Sequence, residues 1–315
     1  MSDLDWRPAC SVAALRRRAI LLAAIREFFA GRDVLEVDTP ILSRAGNPDP
    51  NIEPVRTSPG AGLSALCLAT SPEFAMKRLL AAGSGAIYQI AHAFRAGERG
   101  RWHNPEFSIL EWYRPGFSVE DLVGEIDALL DAVGLTSVAG PMRRIEYRDA
   151  FVTALDVDPL SASLGQLARL APQQDFGQER ETWLDYLFSH RVQPTLAGRV
   201  CVSHWPASQA ALARLVPGRP ELAERFEIFV DGLELANGFH ELADAAEQRR
   251  RFESDRARRA GNGQPDIALD EALLAALGDG FPDCSGVALG LDRLLVLLSG
   301  AKSLDDVLAF PIERA

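Results

Sequence analysis

Lysine is almost missing from this sequence of 315 residues: it occurs only at Lys77 and Lys302, and arginine supplies the rest of the 33 basic residues. Acidic residues outnumber them at 44, for a net charge of −11. That balance argues against a broad nucleic-acid surface, which needs cations clustered along a phosphate backbone. No apolar run reaches the roughly 18 residues of a membrane span. The N-terminal MSDLDWRPACSVAALRRR begins with acids and lacks the apolar core and cleavage site of a signal peptide. A soluble, cytoplasmic protein with no membrane or tRNA partner is therefore expected. Cysteine is scarce too: Cys10, Cys67, Cys201 and Cys284 lie far apart without a C-x-x-C pair, which excludes a zinc ribbon and fits reduced thiols.

What is present is ordinary globular composition, 47% hydrophobic and 24% charged. Ser11 is placed to cap a helix with apolar residues Leu15, Ala19, Leu22, Ile25 and Phe29 at helical spacing, ending at Gly31. A short strand over Val34 to Val37 follows, then a Pro/Gly/Asn-rich loop over 45–62 able to cover a site. TSPEFAMKRLLAAG predicts a helix with Thr70 or Ser71 as cap, Pro72 at the first position and Glu73 in the first turn. Another amphipathic helix is expected over 118–134. Residues 145–225 give no clear pattern, and the arginine-rich stretch 247–259 reads as a solvated helix face or a surface for an acidic partner.

Three stretches carry the chemistry. In FRAGERGRWHNPEFSILEWY, residues 94–113, arginines 95, 99 and 101 around Gly97 and Gly100 form a basic hairpin suited to bidentate phosphate contact. The alternation after Pro105 puts Glu111 and Tyr113 on one strand face beside Phe107 and Ile109, where a carboxylate and a phenol can select an ammonium group. In FVDGLELANGFHEL, residues 229–242, Glu234 and Glu241 are seven apart, so an unbroken strand sends them to opposite faces. A bulge at Asn237-Gly238 would restore parity and allow both to hold Mg2+ on a polyphosphate. Asn-Gly is equally a hairpin signal that would separate them onto two strands. In GVALGLDRLLVLLSG, residues 286–300, Asp292 and Arg293 open an apolar helix that ends at Gly300, and an arginine at a helix start beside Gly290 suits phosphate.

In this order the stretches resemble the three signature motifs of class II aminoacyl-tRNA synthetases of the lysyl type. The helix after Ser11 and FFAGRDVLEVDTPIL with Pro40 stand as motif 1, and ELANGFHEL and the final DVLAFP match the lysyl subclass as well. The resemblance covers nearly the whole chain. It implies an α+β fold, a mostly antiparallel sheet flanked by helices, in a single catalytic domain over residues 1–315 that forms a homodimer through motif 1. Only about ten residues precede the motif 1 helix, so no N-terminal anticodon-binding domain is expected. The chain is similar in this to freestanding lysyl-type paralogues that activate (R)-β-lysine with ATP as an acyl-adenylate. Those paralogues transfer it to a lysine side chain of elongation factor P. Ala288, where lysyl-tRNA synthetases have glycine, supports that branch.

The resemblance also implies roles. Ser71, Pro72, Glu73 and Glu241 meet the amino and carboxylate end of the amino acid, and Glu111 and Tyr113 hold its distal ammonium. Arg95 and Arg293 are the catalytic arginines, on the α- and γ-phosphates. Ala96, Gly97, Glu98, Asn104, Glu234, Leu235 and Gly290 complete the ATP site, and Glu234 and Glu241 are the Mg2+ carboxylates. One departure stands out: the family has Arg-x-Glu in motif 2, whereas here Arg95 is followed by Ala96, Gly97 and then Glu98. Two alternatives stay open, a ligase for α-lysine or for another acceptor, and a regulatory paralogue without catalysis.

Overall fold

The computed structural model describes residues 6–58, 60, 66–135 and 140–315. Helices are α1 (Val12–Ala30), α2 (Glu73–Ala81), α3 (Val119–Ala132), α4 (Tyr147–Leu155), α5 (Leu164–Leu170), α6 (Arg180–Leu187), α7 (Ala245–Gly261), α8 (Glu271–Gly278) and α9 (Leu291–Ser299). Strands are β1 (Leu35–Glu36), β2 (Leu42–Ser43), β3 (Arg56–Thr57), β4 (Leu66–Leu68), β5 (Ile87–Phe94), β6 (Glu106–Pro115), β7 (Arg143–Glu146), β8 (Arg199–Pro206), β9 (Leu215–Val216), β10 (Arg219–Val230), β11 (Leu233–His240) and β12 (Cys284–Gly290). The main sheet runs β1-β5-β6-β12-β11-β10-β8-β7, with β9 beside β10. Its only parallel pairs among the described residues are β1 with β5 and β7 with β8, so the sheet is mostly antiparallel and the fold α+β, as expected.

Strand alternation divides the labour in β6. Leu110 and Trp112 enter a core shared with Ile25 and Phe29 of α1, Ile126 of α3 and Leu294 of α9. Tyr113, one residue out of phase, points to the opposite face, among Met76 and Leu80 of α2, Phe252 of α7 and Leu273 of α8. A third cluster, under α4, α5 and α6, is built on Val200, Val202 and Phe229 of the same sheet. The region 145–225, unreadable as sequence, is thus packed helices and strands.

Several local expectations hold with adjustments. Ser11 caps α1, its side chain accepting from Ala14 N–H, and Gly31 follows the helix end. The buried stripe is Ala14, Leu21, Ile25, Phe28 and Phe29, however, and Leu15 is left 37% exposed. The 45–62 loop contains β3; positions 59, 61 and 62 fall outside the described residues. Ser118 and Asp121 form a capping box at α3. Pro72 takes the cap position of α2 rather than the first helical one, while Ser71 Oγ accepts from Glu73 N–H at 3.0 Å.

Candidate active site

A cavity of about 680 Å3 lies over the β6–β12–β11 face, walled by α7 and the 47–52 loop. Behind Ser71 and Glu73, which line one end of it, is a buried acidic group. Glu111 pairs across the sheet with Ala288, and its two carboxylate oxygens accept from Ser71 Oγ and Tyr113 Oη, each at 2.7 Å. Burial pushes Glu111 up to about 8, and the charge of Glu73 adds to the rise, while its hydrogen bonds to Ser71 and Tyr113 oppose it. Beside it the Lys77 ammonium sits 2.7 Å from Glu73 and 2.6 Å from Glu241, with Lys77 and Glu241 side chains each 1% exposed. Burial takes Glu241 up to about 7 against the pull of Lys77, and the two carboxylates raise the lysine well above its ordinary value.

Two glycines make this group possible. A Cβ on Gly286 would lie 2.3 Å from the Tyr113 ring and 2.6 Å from Glu241 Oε1, so only glycine lets both reach across β12. Gly238 is required by contact as well, since a Cβ there would lie 2.3 Å from Phe226 Cζ. Asn237-Gly238 is therefore mid-strand, neither bulge nor hairpin. The hairpin is Asp231-Gly232, with φ of 48° and 77° as a two-residue turn demands. The bulge lies instead at Leu235, where the register steps from Ile228↔Ala236 to Phe229↔Glu234. The parity shift expected between Glu234 and Glu241 is present, two residues earlier than its expected place.

At the other end, Arg293 opens α9. It donates to the Glu234 carbonyl at 2.9 Å and carboxylate at 3.2 Å, to the Trp102 carbonyl at 3.2 Å and to His103 Nε2 at 2.9 Å. Burial and the neighbouring guanidinium hold His103 below its ordinary value, as a neutral acceptor. Arg95 lines the cavity between these ends, 3.6 Å from Glu98 and with its guanidinium 5.0 Å from the Phe107 ring.

The structure corrects other expectations. Of the three hairpin arginines only Arg95 faces the cavity; Arg99 pairs with Glu313 and Asp305, and Arg101 donates to the Lys302 carbonyl. Glu98 lines the cavity, whereas Ala96 and Gly97 do not, the Ala96 amide being bonded to the Glu53 carbonyl. Asn104 reaches the wall, but its amide is spent on the Glu106 carbonyl and the Ile312 amide. Gly290 and Leu235 line the cavity as backbone-level neighbours of Arg293 and Glu234. Pro72 caps α2 and lines a neighbouring cavity with Ser71 and Glu73 rather than the one over the sheet. The 247–259 stretch is not a solvated face throughout: Gln248, Phe252 and Arg259 are buried, and Arg259 is tied to Glu53 and the Pro265 carbonyl.

Lys77 and Gln248 were missed. Glu73-x-x-x-Lys77 reads as an exposed helix pair, and only tertiary packing turns it inward.

The expected magnesium pair does not share a cradle. Glu234 is 39% exposed and turned to Arg293, whereas Glu241 is sealed in its ion pair with Lys77. Among the described residues no group of three or more His, Cys, Asp or Glu is placed to hold a metal. Glu234 suits a hard cation that brings phosphate and water oxygens of its own, which is how magnesium is ordinarily held beside nucleotides.

Sheet, cavity and motif positions define a class II synthetase domain. The family model for class II tRNA synthetases (D, K and N) matches residues 2–314, and the chain belongs to that family. Over its full length the chain is 49% identical to the elongation factor P–(R)-beta-lysine ligase of Edwardsiella ictaluri, covering all of that protein. It is 47% identical, with full coverage of both, to the ligase of the same name from Vibrio cholerae serotype O1. Against the Salmonella typhi ligase it is 46% identical, covering 98% of each. Enzymes of this class use ATP and a divalent metal in general.

Proposed function

We propose that this protein activates (R)-β-lysine with ATP and transfers the β-lysyl group to a lysine side chain of elongation factor P. The observation that carries it is the buried acidic group at one end of the cavity, where Glu73 and Glu241 share one fixed ammonium, Lys77, and Glu111 beside them has none. Three carboxylates against one cation leave room for two more ammonium groups, which a diamino acid supplies. Full-length relatives named for (R)-β-lysine and elongation factor P support the particular substrate and acceptor.

Glu111, with Tyr113 and Ser71, takes the distal ammonium, and Glu73, which lines the cavity, takes the other, with Glu241 behind it paired to Lys77. That leaves the substrate carboxylate directed at the α-phosphate beside Arg95. The carboxylate is ionised at neutral pH, so its oxygen attacks phosphorus without a base, and the bond to pyrophosphate breaks. Arg95 neutralises charge developing on the α-phosphate, and Arg293 holds the γ-phosphate. Glu98, rather than Ala96 or Gly97, serves the adenine, with Gly290 and Leu235 in the wall and Asn104 as its brace. Glu234 would hold magnesium together with phosphate oxygens, and the ion would supply neutralisation of charge on the pyrophosphate leaving group. In the second step a lysine amine of the acceptor attacks the adenylate carbonyl and AMP leaves. The amine, with a free pKa of about 10.4, must give up a proton first, and a phosphate oxygen of the adenylate accepts it.

We read the chain as one catalytic domain, since one sheet supplies strands to each of its large apolar clusters. We read it also as a homodimer, because Val12, Ile20, Leu35, Ile41 and Leu42, all in the first motif, are exposed apolar residues on one stretch of chain. No helix among the described residues is long and apolar enough to cross a membrane, and a cytoplasmic site of action fits the acceptor.

ATP–pyrophosphate exchange with (R)-β-lysine and α-lysine at matched concentrations tests the function. Strong preference for β-lysine is expected. Preference for α-lysine would replace the substrate, and no exchange with any amino acid would leave a non-catalytic paralogue.

A further inference from the structure

The cavity wall contains a polar side chain that the chemistry above does not use. Gln248, in the first turn of α7, is 1% exposed, and neither its Nε2 nor its Oε1 has a hydrogen-bond partner. It borders the cavity. A buried amide left unpaired at both ends is rare in folded proteins and costly, so a ligand group that pairs with it gains that cost back on binding.

Its neighbourhood says which ligand group. Arg251, one turn along the same helix, donates to the Ala211 and Ala213 carbonyls at 2.9 and 2.7 Å. Ala213 in turn bridges to Glu241, whose Oε1 is also buried without a hydrogen-bond partner. Phe252, one turn after Gln248, packs with its ring centroid 5.6 Å from that of Phe74, the residue after Glu73. The helix that carries Gln248 is thus tied on one side to the α2 helix of Glu73 and on the other to the Ala213 segment beside Glu241, which puts Gln248 in the cavity wall near the acidic group. Ammonium groups are favoured there, and the amide oxygen is an acceptor for one. The amide nitrogen is a donor, complementary to the carboxylate of the same amino acid.

We infer that Gln248 is an amino-acid-binding residue, its side-chain amide reading the backbone ammonium and carboxylate of the substrate. This rests on the proposed amino-acid activation, and the test separates the two. Pyrophosphate exchange is measured for the unmodified protein and for Gln248→Leu and Gln248→Glu, with (R)-β-lysine, α-lysine and 6-aminohexanoate, which lacks the backbone amine. Gln248→Leu is expected to raise KM for the preferred diamino acid by tenfold or more while leaving KM for ATP unchanged. With 6-aminohexanoate, which keeps the carboxylate, that penalty should shrink by the share of the backbone ammonium, and Gln248→Glu, which keeps the acceptor, should recover that share with the diamino acid. A second readout is thermal unfolding. Without ligand, Gln248→Leu should unfold at the same temperature or higher, because no hydrogen bond of the free protein is lost. Saturating amino acid should stabilise it less than the unmodified protein. If the unmodified protein prefers α-lysine, the substrate reading fails and the Gln248 comparison runs on α-lysine. An unchanged KM for the preferred amino acid, or an equal penalty with 6-aminohexanoate, overturns the inference; no exchange by the unmodified protein overturns both.

Discussion

Lys77 and Glu241 lie 2.6 Å apart, both 1% exposed, on a helix and at a strand end 164 positions apart in sequence. Burying a charge is tolerable only with its partner in place, and removing one partner leaves the other uncompensated. Lys77→Met should therefore destabilise the protein by about 3–5 kcal/mol, measured by guanidinium unfolding. Lys77→Met combined with Glu241→Gln should lose less than the single variant. Equal losses would show that Glu241 takes its stabilisation from other neighbours.

Glu111 makes stability pH-dependent. Burial raises its folded value to about 8, above the ordinary 4.5, so the folded state binds the proton more tightly than the unfolded state. Its contribution is fully present below the unfolded value and is lost as pH rises through about 8. Stability without ligand should fall over that window, with a slope from this group of at most about 1.4 kcal/mol per pH unit. Glu111→Gln should flatten the slope without abolishing it, because Glu241, near 7, adds to the same trend. Binding an ammonium beside Glu111 at neutral pH should release a proton, seen as a buffer-dependent enthalpy in calorimetry.

Arg95 and Arg293 should fail in different ways. Arg95→Ala removes one preorganised donor at the reacting phosphate and should cost about 2–4 kcal/mol of transition-state stabilisation. The loss should appear mainly in the rate of adenylation under single turnover. An unchanged rate would remove Arg95 from the mechanism. Arg293→Lys keeps the charge, but an ammonium cannot reproduce the fork that reaches Glu234, Trp102 and His103. Its effect should fall mainly on KM for ATP.

The sequence carried the site's signals where they were local. Ser11, Ser118 and Gly300 mark helix ends by cap chemistry, and the alternation from Phe107 to Tyr113 assigns Glu111 to the cavity side. It carried less where a residue's meaning depends on distant chain. Nothing adjacent marks the bulge at Leu235, an apolar residue in an apolar strand. Asn237-Gly238 resembles a turn, but its glycine answers to Phe226 on the next strand. Gln248 stands among arginines and looks solvated until α7 is seen against the Ala211–Ala213 segment. Arg99 and Arg101 look equivalent to Arg95, yet they turn to the C-terminal segment and Lys302.

Ala288 is the position at which substrate choice should be most sensitive to a single methyl. It pairs with Glu111 on one side and Asn237 on the other, and it lines the cavity. Its Cβ therefore occupies space between Glu111, proposed to take the distal ammonium, and the strand leading to Glu241. Ala288→Gly removes that volume without touching a polar group. A pocket can discriminate one methylene by about 1–3 kcal/mol, or 10- to 200-fold. The variant should narrow the preference for (R)-β-lysine over α-lysine by a factor in that range, read as the ratio of kcat/KM values in pyrophosphate exchange. KM for ATP should not move, since the arginines and Glu234 are untouched. An unaltered ratio would mean that the ammonium positions, set by Glu73, Glu111 and Glu241, discriminate the two amino acids without help from the pocket floor.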